Sequence, residues 1–313
     1  MPMIFKNPIF LMCRVDHWFK NIFVIPGIII ALFFTKKVLI PFDYLFIVIN
    51  ILSICLIASA NYLINEHLDS TFDKFHPIKK NRPSVKSPIK LSTIIIVYSF
   101  LIITSLIISI NSNTNFIISL VIFAILGVFY NVRPVRLKDR PYLDILSESL
   151  NNPVRLILGW TIIEPSYLPP ISIILCFWMG GAFLMTIKRF AELRFVKRKT
   201  LIKYRITFKH YTENKLLLKS FFYSLMACFF LGIFLIKYRI EYLLLFPLIS
   251  LLFTYYLHLG LKKSSITQTP EKLFKNVNLV ILTVLIFLAF IFLTVTELKI
   301  LKILVDPINY ELF

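Results

Sequence analysis

Four side chains recur at four-residue intervals: Asn61, Asn65, Asp69 and Asp73. On a helix that spacing puts them on one face, and Glu66, three residues before Asp69, joins them. Three carboxylates and two amides converging in this way would repel one another without a cation. Hard oxygen donors of this kind suit Mg2+, which takes one or two carboxylates together with substrate phosphates. A solvated acidic helix end would carry the same residue types. Against it stand the phasing of the acids and their place in an otherwise basic stretch. Lys74, His76, Lys79, Lys80, Arg82 and Lys86 follow at once, stiffened by Pro77, Pro83 and Pro88. Cations beside a magnesium site are what a diphosphate needs for its remaining charge. Lys80 and Lys86 read as ordinary membrane flanks, Lys79 and Arg82 as candidates for the site.

A second stripe runs through Asp144, Glu148, Asn151, Asn152 and Arg155, again with helical spacing. Ionisable groups inside an apolar helix are costly and face a cavity or pair internally. The stripe is thus either the wall of a polar pocket or a packing network joining Glu148 to Arg155. Tyr130, Asn131, Arg133, Arg136 and Lys138 precede it as a basic turn with an aromatic. Arg14, His17, Lys20 and Asn21 lead into the first apolar stretch, and Lys188, Arg189 and Glu192 close a later one. The remaining basic residues of 194–215 read as flanks, and His210 and His258 have no partners in sequence. No Walker loop, GxSxG or HExxH occurs, so nucleotide, serine and zinc hydrolysis gain no support. Cys13, Cys55, Cys176 and Cys228 form no CxxC pair and read as packing residues.

The elements that must position these groups are apolar. Of 313 residues, 58% are hydrophobic and 16% charged, with a mean hydropathy of +0.80. A soluble domain has roughly 45–50% and about 25%, so the chain reads as a polytopic membrane protein, and disorder is excluded. Helices of about 20 apolar residues cross a bilayer. The sequence predicts nine, near 21–35, 44–65, 91–110, 116–131, 143–163, 165–187, 220–236, 242–261 and 276–296, in one all-α domain over 1–313. The net charge of +19 divides unevenly among the loops. One alternating set holds 27 Lys and Arg, the other 6. By the positive-inside rule the N-terminus is cytoplasmic and the C-terminus external. The charge is then a matter of topology, and nucleic acid is not an expected partner. The first 13 residues show no signal-peptide pattern.

Residues 65–73, Asn-Glu-His-Leu-Asp-Ser-Thr-Phe-Asp, resemble the NDxxDxxxD motif of the UbiA superfamily of intramembrane prenyltransferases, with Glu66 in place of the usual Asp. That family has nine helices, and the motif follows the second on the cytoplasmic side. Tyr62 through Pro83, Arg14 through Asn21, Arg136-Leu-Lys138 with Asp144 and Arg155, and Lys188 through Leu193 resemble its decaprenyl-phosphate phosphoribosyltransferase branch. The resemblance implies magnesium on Asn65, Glu66, Asp69 and Asp73, with Asp69 and Asp73 catalytic. It implies a diphosphate donor held by cations drawn from Lys20, Lys79, Arg82, Arg136, Lys138, Lys188 and Arg189. Asn61, Tyr130, Asp144, Glu148 and Arg155 complete the expected substrate-binding set.

Ordinary members carry a second motif, DxxxD, after the sixth helix. Here that position reads Lys188-Arg189-Phe190-Ala191-Glu192. Two cations there fit a donor other than an allylic prenyl diphosphate. The branch implies phosphoribosyl pyrophosphate as donor and a polyprenyl phosphate as acceptor, in a bacterial cytoplasmic membrane, with an oligomer as an option. Transfer of a prenyl group to an aromatic or other small acceptor is the alternative, and a transporter is the alternative from another class.

Overall fold

The computed structural model describes residues 7–238, 240–262, 266–268, 273, 275–298 and 301. The external C-terminus expected from the charge count falls on the tail beyond these. Lys6, Arg239, Lys263, Lys272, Lys299 and Lys302 of that count likewise lie outside the described residues. Among the described residues the chain is all-helical, as expected. The long helices are α1 (Val24–Thr35, entered through a 3-10 stretch Val15–Phe23), α2 (Pro41–Asp73), α3 (Leu91–Ile108) and α4 (Thr114–Asn131). After them come α5 (Leu143–Ser149), α6 (Asn151–Ile163), α7 (Ile171–Phe195), the short α8 (Arg198–Tyr204), α9 (Glu213–Tyr238), α10 (Phe246–Leu261) and α11 (Val277–Val295).

Eight helices among the described residues are long and apolar enough to cross a membrane. The expected count of nine is not met on that criterion. The segment 143–163 is broken at Leu150 into α5 and α6, and it carries Asp144, Glu148 and Arg155. Pro153, which has no N–H to give, sits in the first turn of α6, where none is needed. The broken pair nonetheless runs the length of α4. Glu148 meets Tyr130 at one end of α4, and Asn113, the cap at the other end, donates to the Thr161 carbonyl.

α2 matters most for the site. Its 33 residues reach about 50 Å at about 1.5 Å per residue, well past a hydrocarbon core about 30 Å thick. The sequence places the acidic motif on a loop after the second span. The structure makes it the last turns of the same helix, so the shared face that the four-residue spacing requires is realised. Pro83 then starts a four-residue helix, Pro83–Lys86, that folds the basic loop back over this end.

Packing is tightest where side chains vanish. A Cβ on Gly27 of α1 would lie 2.1 Å from the Leu156 carbonyl oxygen, and one on Gly159 of α6 would lie 2.0 Å from that of Val24. Reciprocal glycines let the two backbones touch, the device membrane helices use where lipid removes the hydrophobic drive to associate. One core gathers Val24, Ile54, Phe116, Leu156 and Trp160, and a second gathers Phe183, Ile187, Phe190 and Tyr256 between α7 and α10. Phe100, Ile103 and Ile107 of α3 and Val277, Leu288 and Phe292 of α11 are exposed, an exterior made for lipid.

Candidate active site

A cavity of about 340 Å³ opens where one end of α2 meets the ends of α4 and α7 and the start of the chain. The expected residues Asn65, Glu66 and Asp69 line it from α2, Lys20 from the entry stretch, and Lys79 and Arg82 from the basic loop. Tyr130, Glu148, Lys188 and Arg189 complete the expected part of the wall. Buried here are charges that a bilayer would otherwise expel, so each must find a partner or a ligand.

Asp69 meets Lys138 at 2.5 Å and Arg136 at 3.0 Å. Asp73 is wholly buried, and its Oδ2 receives Arg82 at 2.6 Å. Glu66 accepts a long bond, 3.5 Å, from the Ser84 N–H. Lys79 donates to the Tyr204 hydroxyl and lies 3.9 Å from Glu192. Lys188 stands on the wall beside Glu148. Across the cavity Arg189 is gripped by three acids: Glu192 at 2.9 Å, Asp144 at 3.2 Å and Glu148 at 3.6 Å. Arg136 has a left-handed backbone (φ 29°), held by bonds to Asp69, Asp139 and the Asn131 carbonyl. A non-glycine residue keeps such a φ only where its surroundings fix it.

Several expectations need correcting. Asn61 does not face the cavity. It donates to the Phe123 carbonyl and packs on Gly127, tying α2 to α4. Asp73 is not on the cavity wall either, because the helix end turns it toward Arg82. Asp144 is a packing hub rather than pocket wall, bound by Arg189, Arg205 and the Tyr211 hydroxyl. Arg155, expected to bind substrate, is on neither cavity wall, and the alternative Glu148–Arg155 network does not form. Arg155 donates instead to Asn21 at 2.8 Å and to the Asn151 carbonyl, and lies over the Phe123 ring. Arg136 and Lys138 line an adjoining cavity of about 190 Å³.

Sequence reading also missed residues. Arg205, in the run read as membrane flank, lines both cavities, with Tyr204 beside it. Tyr62 and Gln268 also line the first cavity, together with Ile78, Asn81 and Pro83, and with Arg14, His17 and His76, which the sequence marked as polar features without a place in the site. Burial brings the Lys79 and Lys138 ammonium groups down to about 8, against the pull of Glu192 and Asp69 respectively. Burial, then Lys79, lowers His76 to about 4, so its ring is neutral at pH 7 and accepts from the Ile78 and Lys79 N–H groups.

Among the described residues no three His, Cys, Asp or Glu side chains stand close enough together to hold a metal ion by themselves. Each acid of the expected four-ligand set is instead pulled toward its own neighbour. What the site offers is two carboxylates and an amide on one wall, from Glu66, Asp69 and Asn65. Buried Asp73 Oδ1, without a hydrogen-bond partner, lies one helical turn beyond. An acceptor left unsatisfied in this way is costly unless a cation or water reaches it. This donor set fits Mg2+ arriving with a diphosphate, which supplies the remaining oxygens itself.

The profile of the UbiA prenyltransferase family matches residues 23–280. The decaprenyl-phosphate phosphoribosyltransferase of Mycolicibacterium smegmatis is 27% identical over 207 residues, covering 65% of this chain and 62% of that protein. A UbiA homolog from Archaeoglobus fulgidus, solved bound to DMAPP and Mg2+, superposes with a TM-score of 0.68 at 18% identity, covering 93% of this chain and 100% of that one. A digeranylgeranylglyceryl phosphate synthase in membranes superposes with a TM-score of 0.62 at 18% identity, over 92% of this chain and 97% of that one. At such identity the likeness is one of fold.

Proposed function

Because this chain belongs to the UbiA prenyltransferase family and is a multi-pass membrane transferase, we propose that it moves a phosphoribosyl group from phosphoribosyl pyrophosphate to a polyprenyl phosphate. The observation that carries this reading is the wall opposite the Asn65–Asp69 stripe. Where ordinary members place the two aspartates of DxxxD, this chain has Lys188 and Glu192, and Glu192 is bound to Arg189 beside Lys188 on the wall. Cations there neutralise diphosphate oxygens directly. The phosphoribosyltransferase relative from Mycolicibacterium smegmatis supports the same donor. A bacterial cytoplasmic membrane is the proposed location, with the cavity on its inner side.

In this mechanism Asn65, Glu66 and Asp69 would hold Mg2+, with buried Asp73 one helical turn beyond them. When bound, the ion neutralises charge that builds on the departing diphosphate. Lys20, Lys79, Arg82, Lys188 and Arg189 bind the oxygens that remain. The bond from the anomeric carbon to the diphosphate oxygen breaks, and the electron pair leaves with pyrophosphate. An acceptor phosphate oxygen forms the new bond. It is already anionic at pH 7, so no strong general base is required.

Two predictions arise from this account. Incubated with labelled donors and Mg2+, membranes holding the protein should incorporate label from phosphoribosyl pyrophosphate into extractable lipid. Incorporation from a prenyl diphosphate into an aromatic acceptor, with none from phosphoribosyl pyrophosphate, would overturn the donor assignment. The second concerns pH. Lys79 is charged at pH 7 and becomes neutral as pH climbs through about 8. Because kcat/KM reports groups of the free enzyme, its value for the donor should fall above that pH. Lys138 beside Asp69 titrates in the same range, so Lys79→Arg, charged throughout, should leave a shallower fall rather than none. A basic limb as steep as the parent's in that variant would remove Lys79 from donor binding.

A further inference from the structure

The adjoining cavity of about 190 Å³ holds Arg136 and Lys138, which the resemblance put in the diphosphate pool and the mechanism leaves unused. Its walls carry five cations, Arg133, Arg136, Lys138, Lys203 and Arg205, against two acids, Asp69 and Asp139. Arg136 and Lys138 are 7% and 2% exposed, so this is a built pocket rather than a loose surface patch. Arg205 and Tyr204 form part of both cavities, and so does Asp69, which places the two side by side. A pocket this basic, with two buried cations held on one shared carboxylate, is suited to an anionic group.

Which anion it takes follows from where the pocket lies. Apart from Asp69 and Phe72 at the end of α2, its walls come from residues 133–139 and 202–206, between spanning helices and outside the apolar belt. The lining lies on loop residues beyond the helix ends, where a soluble phosphorylated donor arrives. A prenyl diphosphate is charged at one end and has nothing to place here. A pentose carrying a diphosphate at one carbon and a monophosphate at another has two charged ends. We propose that the second cavity binds the distal monophosphate of such a donor, while the first holds its diphosphate. This rests on the phosphoribosyl reading and sharpens it, because recognition at both ends would exclude prenyl diphosphates as donors. Arg133 and Lys203, the two exposed cations of the pocket, then set donor specificity without touching the reacting bond.

The test uses the full-length protein in detergent with Mg2+ and measures binding of phosphoribosyl pyrophosphate and of inorganic pyrophosphate by calorimetry. Replacing both cations, Arg133→Ala with Lys203→Ala, should weaken phosphoribosyl pyrophosphate binding about tenfold or more, as expected for lost charge-assisted bonds, and leave pyrophosphate within about twofold. The charge-keeping pair Arg133→Lys with Lys203→Arg should bind both nearly as the parent does. Equal weakening of the two probes, or of neither, would overturn the proposal. So would a rise in the KM of the polyprenyl phosphate with donor binding unchanged, which would give the pocket to the acceptor. A parent protein that binds geranyl diphosphate but no phosphoribosyl pyrophosphate would sink the phosphoribosyl reading and this inference together. A parent that binds phosphoribosyl pyrophosphate with the double variant unaffected would sink the inference alone.

Discussion

Asp69→Asn should lower kcat/KM by about a thousandfold while the protein still inserts and purifies as a folded species. Asp69 lies on the wall between the two cavities and holds Lys138 at 2.5 Å and Arg136 at 3.0 Å. The neutral amide keeps the shape but removes the charge that would meet magnesium. It also leaves two buried cations with weaker partners. Lys138 retains the Asn131 side chain, and Arg136 retains Asp139 and the Asn131 carbonyl, so the fold is expected to hold. The size of the loss follows from several kcal/mol of charge stabilisation at about 1.4 kcal/mol per factor of ten. Asp69→Glu keeps the charge and should retain measurable turnover. Parent-like activity in the Asn variant would remove the metal-site assignment.

Arg189→Met should be the most destabilising single change in this part of the molecule. The guanidinium is 1% exposed and sits among Asp144, Glu148 and Glu192, of which Asp144 and Glu192 are themselves buried. Removing one partner of a buried ion pair costs about 3–5 kcal/mol, because the remaining charge stays out of water uncompensated. Here three carboxylates lose a shared cation. Arg205 still reaches Asp144, and the Tyr130 hydroxyl still donates to Glu148 at 2.5 Å. Glu192 is left with Lys79 at 3.9 Å and is therefore the most exposed to the loss. The measurement is heat-induced loss of the monodisperse detergent-solubilised protein. The midpoint should drop by several degrees, and adding Glu192→Gln should recover part of it by removing the orphaned charge. No drop, or a drop the second change deepens, would mean that Arg189 is not what holds these acids.

How far this site can be read from the sequence depends on how each residue reaches it. Asn65, Glu66 and Asp69 are legible because α2 is one unbroken helix, so four-residue spacing becomes a common face without any knowledge of tertiary structure. Lys188 and Arg189 stand out because they fall where the resembling family carries its second acidic motif, since basic residues after an apolar helix are otherwise ordinary flanks. Arg205 was hidden: it lies in a basic run whose composition matches ordinary membrane flanks. It reaches the cavity because α8 and the turn after it fold back under the bundle, which no local period reveals. The partners of Asp144 come from 45 to 67 residues away, and Asn21 meets Arg155 across 134. Stripe spacing marked both groups as buried but could not choose between a pocket wall and a packing hub. Asp73 shares the face of Asp69, yet the helix ends there. The chain turn that brings Arg82 back decides its partner.

Purified protein given phosphoribosyl pyrophosphate, a polyprenyl phosphate and Mg2+ should release pyrophosphate one-for-one with a lipid product heavier by a phosphoribosyl group, and neither product should form once the metal is chelated. Pyrophosphate released only from a prenyl diphosphate, with no phosphoribosylated lipid formed, would contradict the phosphoribosyl reading.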